Sequence, residues 1–401
     1  MKKNHLDKVR KIVQTYVPNN FFFQKIVAYA RLYDLKKNDY GEIEKKLLTA
    51  KKADPAFRSE IVKECFEKWP EIAAQIRKEA QEKLPLSADY KDRELDSRVL
   101  DDVVFSYFAL GFSPDEYIYF RLEKRTIDER QEYFSNKMRK KYHTCIDNLI
   151  DSSTFSKYNT YLKFQEYFKR DVLKIENDSQ FPVFEAFVKS HSKYVKKDVD
   201  GMSGREVELV DSANCGKTVR QQFDEMVAEQ KYIIEELIIQ SEDMARFNSS
   251  SVNTVRCITM NTKDGVKVAY GYFRTGSSGS FVDNCGIRCG VDMETGQAVT
   301  DGFDERAYQY RIHPDTGTVY KGFQFPEWNQ LLSIAKNAAS KLPGIKIIGW
   351  DFAHTDKGWV IVEGNAMSSI ELIQIPFERG MRKELEQYFR EMEPIIECNF
   401  E

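Results

Sequence analysis

The amino-acid sequence predicts an α+β fold in which a mainly helical N-terminal domain precedes a larger domain with antiparallel sheets. Apolar side chains in residues 1–150 recur at spacings of three and four, among abundant Lys and Glu and almost no Gly, which is the pattern of amphipathic helices. From about residue 180, short β-rich runs alternate with Gly, Asp, Asn and Ser turns and two helical stretches, as in a mixed domain. This change predicts two domains, at 1–150 and 151–401.

The individual elements follow from the same periodicities. In the N-terminal domain the helical pattern covers Ile43–Ala53, Phe57–Lys83 and Glu94–Leu110, and Pro55, Pro85 and Pro114 fall at helix starts or breaks. The predicted helices of the second domain are Thr218–Ala228 and Trp328–Lys341. Its predicted strands are Tyr194–Lys197, Glu206–Val210, Tyr232–Ile239, Thr254–Met260, Val266–Phe273, Ile345–Trp350 and Trp359–Glu363.

The composition excludes several classes of function. Hydrophobic residues make up 42% and charged residues 31% of the 401 positions, as in an ordinary globular protein. The net charge of −3 provides no basic field for nucleic acid. No stretch approaches the ~18 apolar residues of a membrane span, and Met1–Gln14 lacks the apolar core of a signal peptide. We therefore expect a cytoplasmic protein with reduced cysteines.

A glycine-bearing loop follows the first predicted strand of the second domain. The segment Lys196–Arg205 begins with two lysines and contains Gly201 and Gly204. Glycine lets a backbone approach phosphates closely and point its amides at anionic oxygens, and a lysine at the strand end adds a positive charge. The segment is a candidate phosphate loop. A surface hairpin is the alternative interpretation.

An apolar run, Tyr232–Gln240, carries two adjacent carboxylates. In a strand, Glu235 and Glu236 point to opposite faces of the sheet. If one face is buried, the carboxylate on that face needs a polar partner. An adenine amino group or a ribose hydroxyl would serve, whereas an edge strand would leave both charges in solvent.

The strongest candidate site is a predicted hairpin near the C-terminus. Gly349–Ala353 and Trp359–Asn365 flank a turn at Asp356–Gly358, so that Asp351 and Glu363 can lie opposite each other on neighbouring strands. Asn365 follows Glu363 by two residues and shares its face while the chain stays extended. Two carboxylates and an amide oxygen form a ligand set suited to Mg²⁺. A cross-strand polar pair at a hairpin end is the alternative.

These three segments, in this order, resemble the ATP-grasp superfamily, and more specifically the sugar-transfer-associated ATP-grasp proteins of polysaccharide clusters. The resemblance covers roughly residues 95–375. The supporting segments are Gly111–Tyr117, Ser251–Arg256, Arg274–Gly276, Val282–Asn284, His313–Gly317, Gly349–Asp351 and Glu363–Asn365. Membership implies two α+β subdomains with antiparallel sheets that grip the nucleotide. The first, about 151–240, would hold the glycine loop and hinge, and the second, 241–401, the metal site.

The resemblance also implies roles for individual residues, with ATP and Mg²⁺ as cofactors. Residues expected at the phosphates are Lys157, Lys196, Gly201, Ser203 and Gly204, with a solvated helix lysine as the alternative interpretation of Lys157. Those expected at adenine and ribose are Glu235, Glu236, Leu237 and Asp243, with Glu242 as an alternative to the last. Asp351, Glu363 and Asn365 would hold the metal, Arg256 and Arg274 would clamp phosphate or carboxylate, and Asp283, Asn284 and Arg288 would line the acceptor site.

The choice between two adjacent lysines rests on spacing. Gly201 lies five residues after Lys196, as in the family's loop, and Lys197 takes a place often held by proline. The resemblance therefore assigns Lys196, rather than Lys197, to the phosphates.

The function implied is an ATP-dependent ligase that activates a carboxylate as an acyl phosphate and couples it to an amine or another nucleophile, with ADP and phosphate as products. The substrates would be small molecules or glycan-linked groups, and a homodimer is one possible assembly. Two alternatives stay open: a kinase that phosphorylates a small-molecule or sugar hydroxyl, and a nucleotide-binding regulator without turnover.

Overall fold

The computed structural model describes residues 21–37, 40–50, 54–147, 155–199, 207–279, 281 and 286–397. The predicted fold class is confirmed, because a helical N-terminal region precedes two antiparallel sheets. The predicted boundary near residue 150 falls outside the described residues. None of the helices in the described ranges combines the length and the apolar character needed to cross a bilayer.

Helices make up the described part of the N-terminal region. They are α1 (Phe21–Lys37), α2 (Gly41–Thr49), α3 (Pro55–Lys68), α4 (Pro70–Lys83), α5 (Ser97–Leu110), α6 (Pro114–Tyr119), α7 (Ile127–Gln131) and α8 (Asn136–Ile146). Short 3₁₀ turns lie at Leu84–Leu86 and Leu122–Lys124. Side-chain caps define several helix starts, because Ser113 and Thr126 each accept a hydrogen bond from the backbone N–H three residues later.

The N-terminal helices share a core with the sheet region rather than standing apart from it. Phe303, Ala307 and Ile375 pack into the same apolar cluster as the buried faces of α4 and α5. The Ala88 backbone N–H donates to the Arg306 carbonyl, and Arg121 donates to the Ala307 carbonyl at 2.6 Å. These contacts attach the helical region to the chain that follows strand β8 (Gln297–Phe303).

The smaller sheet contains β1 (Val172–Lys174), β2 (Lys193–Asp198), β3 (Val207–Asp211) and β4 (Tyr232–Glu236), in the spatial order β1-β4-β2-β3. All its described pairings are antiparallel. Helices α10 (Phe181–Ser190) and α11 (Val219–Glu229) cover one face through an apolar cluster. Helix α9 (Lys157–Phe168) and a 3₁₀ turn at Asp178–Gln180 complete this part. Strand β4, which carries the predicted adenine-hinge glutamates, ends at Glu236 rather than at the predicted Ile239.

The larger sheet contains β5 (Thr254–Thr262), β6 (Gly265–Thr275), β7 (Ile287–Asp292), β8, β9 (Gln309–Tyr310), β10 (Ile347–Thr355) and β11 (Gly358–Asn365). Its spatial order is β11-β10-β5-β6-β7-β8-β9, so β11 is an edge strand of the described sheet. Helix α13 (Trp328–Ser340) packs on one face against Trp350, Phe352, Trp359 and Ile361. The sequence analysis did not predict β1, β7, β8 or β9.

The remaining helices lie beside these sheets. They are α12 (Glu242–Ala245), α14 (Gln374–Phe377) and α15 (Arg382–Glu391), with a 3₁₀ turn at Ile370–Ile373. One expectation about cysteines is wrong, because Cys145 is disulfide-bonded. The described cysteines with free thiols are Cys65, Cys215, Cys257 and Cys289.

Candidate active site

A row of charged side chains crosses three strands of the larger sheet. Asp351 on β10 pairs in register with Arg256 on β5 and with Glu363 on β11. The Arg256 guanidinium holds both oxygens of Asp351, through Nε to Oδ1 and through Nη2 to Oδ2 at 2.6 Å. The prediction that Asp351 and Glu363 lie opposite each other is therefore confirmed as geometry.

A β-bulge at Val362 sets the direction of Glu363. Ile361 pairs with Phe352 and Glu363 pairs with Asp351, so Val362 has no partner on β10. Ile361 belongs to the apolar cluster under α13, and strict alternation would turn Glu363 toward that same cluster. Because the bulge adds one residue, Glu363 instead lies on the face of Asp351.

Asn365 completes the oxygen donors on this face. It pairs in register with Gly349, two residues from Asp351 on β10. Its amide nitrogen donates to Glu363 Oε1 at 3.1 Å. Since the nitrogen is engaged, the amide oxygen is the atom that could ligate a cation.

Burial is the largest single influence on the pKa of each carboxylate, but the net shifts have opposite signs. Burial raises the pKa of Asp351 to about 6, with Arg256 opposing the shift and Glu363 adding to it. At Glu363 burial also acts upward, but Arg256 and the Asn365 hydrogen bond outweigh it, so the pKa is lowered. A buried carboxylate, Asp351, beside a half-buried one, Glu363, gives mutual repulsion that favours a bound cation.

Arginines extend the charged face along the sheet. Tyr272 pairs in register with Arg256, and Arg274 pairs with Arg288 on β7. The buried Arg288 donates to Glu305 at 2.6 Å. Arg256, Tyr272, Arg274 and Arg288 thus lie on the same face of the sheet as the carboxylates.

The opposing wall comes from α9 and the smaller sheet. Lys157 at the start of α9 donates to the Asp198 carbonyl at 3.1 Å. Burial lowers the pKa of Lys157, and the neighbouring Glu363 carboxylate opposes that shift. Lys197 donates to Glu235 Oε2 at 2.9 Å. Lys157 and Lys197 therefore lie across from the carboxylate row.

Arg170, between α9 and β1, joins the two walls. Its Nε and Nη2 donate to Glu235 Oε2 at 3.1 and 2.9 Å. Its Nη1 and Nη2 also donate to the carbonyls of Ile361 and Val362 on β11. Burial acts to raise the pKa of Glu235, but Lys197 and Arg170 outweigh it and lower the pKa to about 2.

The family profile described as "Sugar-transfer associated ATP-grasp" matches residues 135–389, well over half of the chain. The chain belongs to the sugar-transfer-associated ATP-grasp family. The match begins at the end of the N-terminal helical region and includes both sheets and the charged cluster between them. No curated protein matches the chain.

Several solved structures are similar to this ATP-grasp protein. The ATP-grasp ligase PsnB, complexed with a minimal precursor, is 12% identical over 57% of each chain, with a TM-score of 0.35. D-alanyl-alanine synthetase A from Vibrio cholerae is 11% identical over 60% of this chain and 65% of that one, with a TM-score of 0.36. The D-alanine-D-alanine ligase from Coxiella burnetii is 13% identical over 60% and 58%, with a TM-score of 0.34. This chain spans less than two thirds of each of these proteins.

The structure places the two adjacent lysines of β2 on opposite faces of the smaller sheet. Lys196 Nζ pairs with the exposed Glu208 at 2.6 Å and lies 4.8 Å from the Tyr232 ring centroid, on the face covered by α10 and α11. Lys197 points to the opposite face, toward Glu235. The structure brings Lys197, and not Lys196, into the charged cluster, and the assignment of Lys196 to the phosphates stays a prediction.

The four residues predicted to contact adenine and ribose differ in burial and in their hydrogen-bond partners. Glu235 is buried, but its carboxylate binds Lys197 and Arg170 rather than pointing freely toward an adenine. Glu236 accepts the Asp171 backbone N–H at 3.0 Å, and Leu237 follows the end of β4 half-buried. Asp243 lies on α12, where it is exposed and pairs with Arg246 at 3.5 Å. The structure therefore does not bring Asp243 into the charged cluster.

Five predicted site residues lie outside the described residues: Gly201, Ser203, Gly204, Asp283 and Asn284. Their roles stay predictions.

The sequence analysis did not identify Arg170 as a site residue, and it assigned Lys196 rather than Lys197 to the phosphates. Arg170 belongs to no recognisable motif, and its partners are distant in the sequence, at Glu235 and at Ile361–Val362. A signal for Lys197 was available, because a buried Glu235 needs a cationic partner and the strand beside β4 offers two adjacent lysines. The geometry of the antiparallel pair selects between them.

The residues present fit a magnesium nucleotide. Asp351, Glu363 and Asn365 offer oxygen donors on one face of the β10–β11 pair, which is the ligand type that Mg²⁺ prefers. Among the described residues of the cluster, cationic groups outnumber carboxylates and would balance phosphate charge. These cationic groups are Lys157, Arg170, Lys197, Arg256 and Arg274, beside the carboxylates Glu235, Asp351 and Glu363.

Proposed function

We propose that this protein is an ATP- and magnesium-dependent ligase that activates a carboxylate as an acyl phosphate and couples it to an amine or another nucleophile. One observation carries the proposal: a row of oxygen donors on the larger sheet faces two lysines on the other wall. In such an arrangement the metal ligands and the phosphate ligands would lie on opposite walls of one site. Family membership favours the same chemistry.

Each wall would contribute a separate task. Asp351, Glu363 and Asn365 would hold Mg²⁺, which neutralises phosphate charge when bound. Lys157 and Lys197 would bind phosphate oxygens from the opposite side. Glu236 and Leu237, at the end of the hinge strand, would lie beside the adenine. This division leaves the phosphoryl group between cations on both walls, where charge develops during transfer.

Arginines would position the acyl substrate. Arg274 and Arg288 lie on the sheet face beyond the carboxylate row, so a substrate carboxylate bound there is adjacent to the phosphates. A guanidinium binds a carboxylate or phosphate through two parallel hydrogen bonds, which fixes its orientation as well as its position. Arg256 is engaged with Asp351 and would orient that ligand while facing the phosphates.

Product analysis tests the proposal. The protein is incubated with ATP, Mg²⁺ and pooled small-molecule and glycan-linked acids and amines, and the products are separated by mass. We expect ADP, phosphate and a condensed product. ADP with a phosphorylated hydroxyl would instead indicate a kinase, and nucleotide binding without product a regulator. AMP as the nucleotide product would contradict the proposed chemistry.

A further inference from the structure

Arg170 has partners on both sheets. The buried side chain lies 4.5 Å from the Phe168 ring centroid and contacts Glu235 on β4. On β11 it donates to Ile361 O at 2.6 Å and to Val362 O at 3.0 Å. A guanidinium has five donors in a fixed plane, and Arg170 divides them between Glu235 on β4 and the backbone of β11.

The two carbonyls on β11 are those of the bulge. Successive carbonyls in a regular strand point to opposite sides, but a bulge disrupts the ladder locally and leaves the extra residue unpaired. Val362 is that residue, and β11 is also an edge strand of the described sheet. Buried carbonyls without a partner are costly, so the Arg170 donors stabilise this irregular conformation.

The bulge in turn determines which face Glu363 occupies. If Ile361, Val362 and Glu363 alternated as in a regular strand, the Glu363 carboxylate would lie on the same face as Ile361, toward the apolar cluster under α13. The neighbouring Lys169 strengthens the same junction, because its Nζ donates to the Lys357 carbonyl in the β10–β11 turn at 2.6 Å. The turn between α9 and β1 thus contacts both the β10–β11 turn and the middle of β11.

We propose that Arg170 is a positioning residue that holds the β11 bulge and thereby keeps Glu363 on the metal-binding face, while it also binds Glu235 on the opposite wall. This inference rests on the proposed function of Glu363 as a magnesium ligand. Arg170 acts through Glu363 and the β11 backbone, and it does not need to touch nucleotide or metal.

The test measures ADP binding by calorimetry as a function of Mg²⁺ in Arg170→Lys. Lysine keeps the charge but cannot serve both carbonyls and Glu235. We expect the Mg²⁺ midpoint to rise at least about tenfold, while ADP affinity in EDTA changes less than about threefold, on the scale of a lost positioning contact. The matched control is Arg220→Lys, since Arg220 also stacks on aromatic rings and pairs with carboxylates, but on the surface of α11. It should leave both values unchanged.

A double variant separates positioning from general destabilisation. If Arg170 acts through Glu363, then Arg170→Lys should add nothing to the Mg²⁺ midpoint of Glu363→Gln. Additive effects, or an unaltered midpoint in Arg170→Lys, would overturn the inference alone. Absence of Mg²⁺-dependent ADP binding in the wild type would overturn the proposed function and this inference with it. If the lysine variant does not fold, Arg170→Gln is measured against the same criteria.

Discussion

Replacing Lys196 or Lys197 by methionine should affect nucleotide binding very differently, although the two lysines are adjacent in the sequence. Methionine retains an aliphatic stem and removes the charge, so the two variants change the same chemistry at neighbouring positions. Lys197 lies on the wall that faces the carboxylate row, while Lys196 lies on the face covered by α10 and α11. We expect only Lys197→Met to weaken the binding of ADP with Mg²⁺.

The magnitude follows from burial and partners. Loss of a charged group that faces phosphate in a partly desolvated site costs on the order of 2–4 kcal/mol, which is roughly a 30- to 1,000-fold rise in the dissociation constant. Lys196 pairs with Glu208, whose side chain is 61% exposed, and such a surface pair contributes about 0–1 kcal/mol. Even if the whole of that contribution were lost from binding, the predicted ratio between the two variants is at least about fivefold.

Stability needs a separate measurement, because Lys197 also neutralises the buried Glu235. The variant leaves Glu235 with Arg170, whose two donors remain at 3.1 and 2.9 Å. We therefore expect a destabilisation of about 1–3 kcal/mol rather than loss of folding, measured by urea denaturation without nucleotide.

Isothermal titration calorimetry with ADP and Mg²⁺, at a temperature where both variants are folded, tests which of the two lysines contributes to nucleotide binding. If Lys196→Met weakens binding as much as Lys197→Met does, or more, the assignment of faces is refuted. Equal and wild-type-like binding in both would remove this strand from the phosphate site.

Two further predictions concern the carboxylates of Glu363 and Glu116. Glu363→Gln should raise the Mg²⁺ concentration needed for ADP binding at least about tenfold while the variant still folds; wild-type-like Mg²⁺ dependence would exclude Glu363 as a ligand. In the helical region, burial raises the pKa of Glu116 from 4.5 to about 7. Because the pKa of Glu116 is higher in the folded than in the unfolded protein, its contribution to the free energy of unfolding is fully present below pH 4.5. That contribution is lost as the pH rises through 7, by up to about 3 kcal/mol. Urea denaturation from pH 5 to 8 should therefore show a shallower decline in Glu116→Gln, and parallel curves would contradict the reasoning.

The sequence predicted local features of the site correctly. Asp351 and Glu363 lie on two strands joined by a short turn, so their proximity depends on one hairpin. The apolar runs on both sides of that turn and its Asp-Lys-Gly sequence are sufficient to predict such a pair. The bulge at Val362 was not predicted, although it determines the face of Glu363, because one unpaired valine in an apolar strand leaves no mark in the periodicity.

Longer-range features required the tertiary structure. The phase of β2 could not be predicted, since Tyr194 and Val195 are both buried and apolar side chains on both faces remove the alternation that fixes a strand's orientation. Pairing with β4 in the folded protein decided that Lys197, and not Lys196, contacts Glu235. The placement of Asp243 away from the cluster depends likewise on how α12 packs.

The sequence by itself determined the fold class, the order of the segments and the family, because these depend on local periodicity and on short motifs in a fixed order. Tertiary structure alone decided how the two walls are joined. Arg170 contacts residues 65 and about 190 positions away, and no local pattern encodes such a contact. A buried guanidinium finds its partners only after both sheets have folded and excluded water, since only then do the carbonyls of the β11 bulge and the Glu235 carboxylate come within hydrogen-bonding distance.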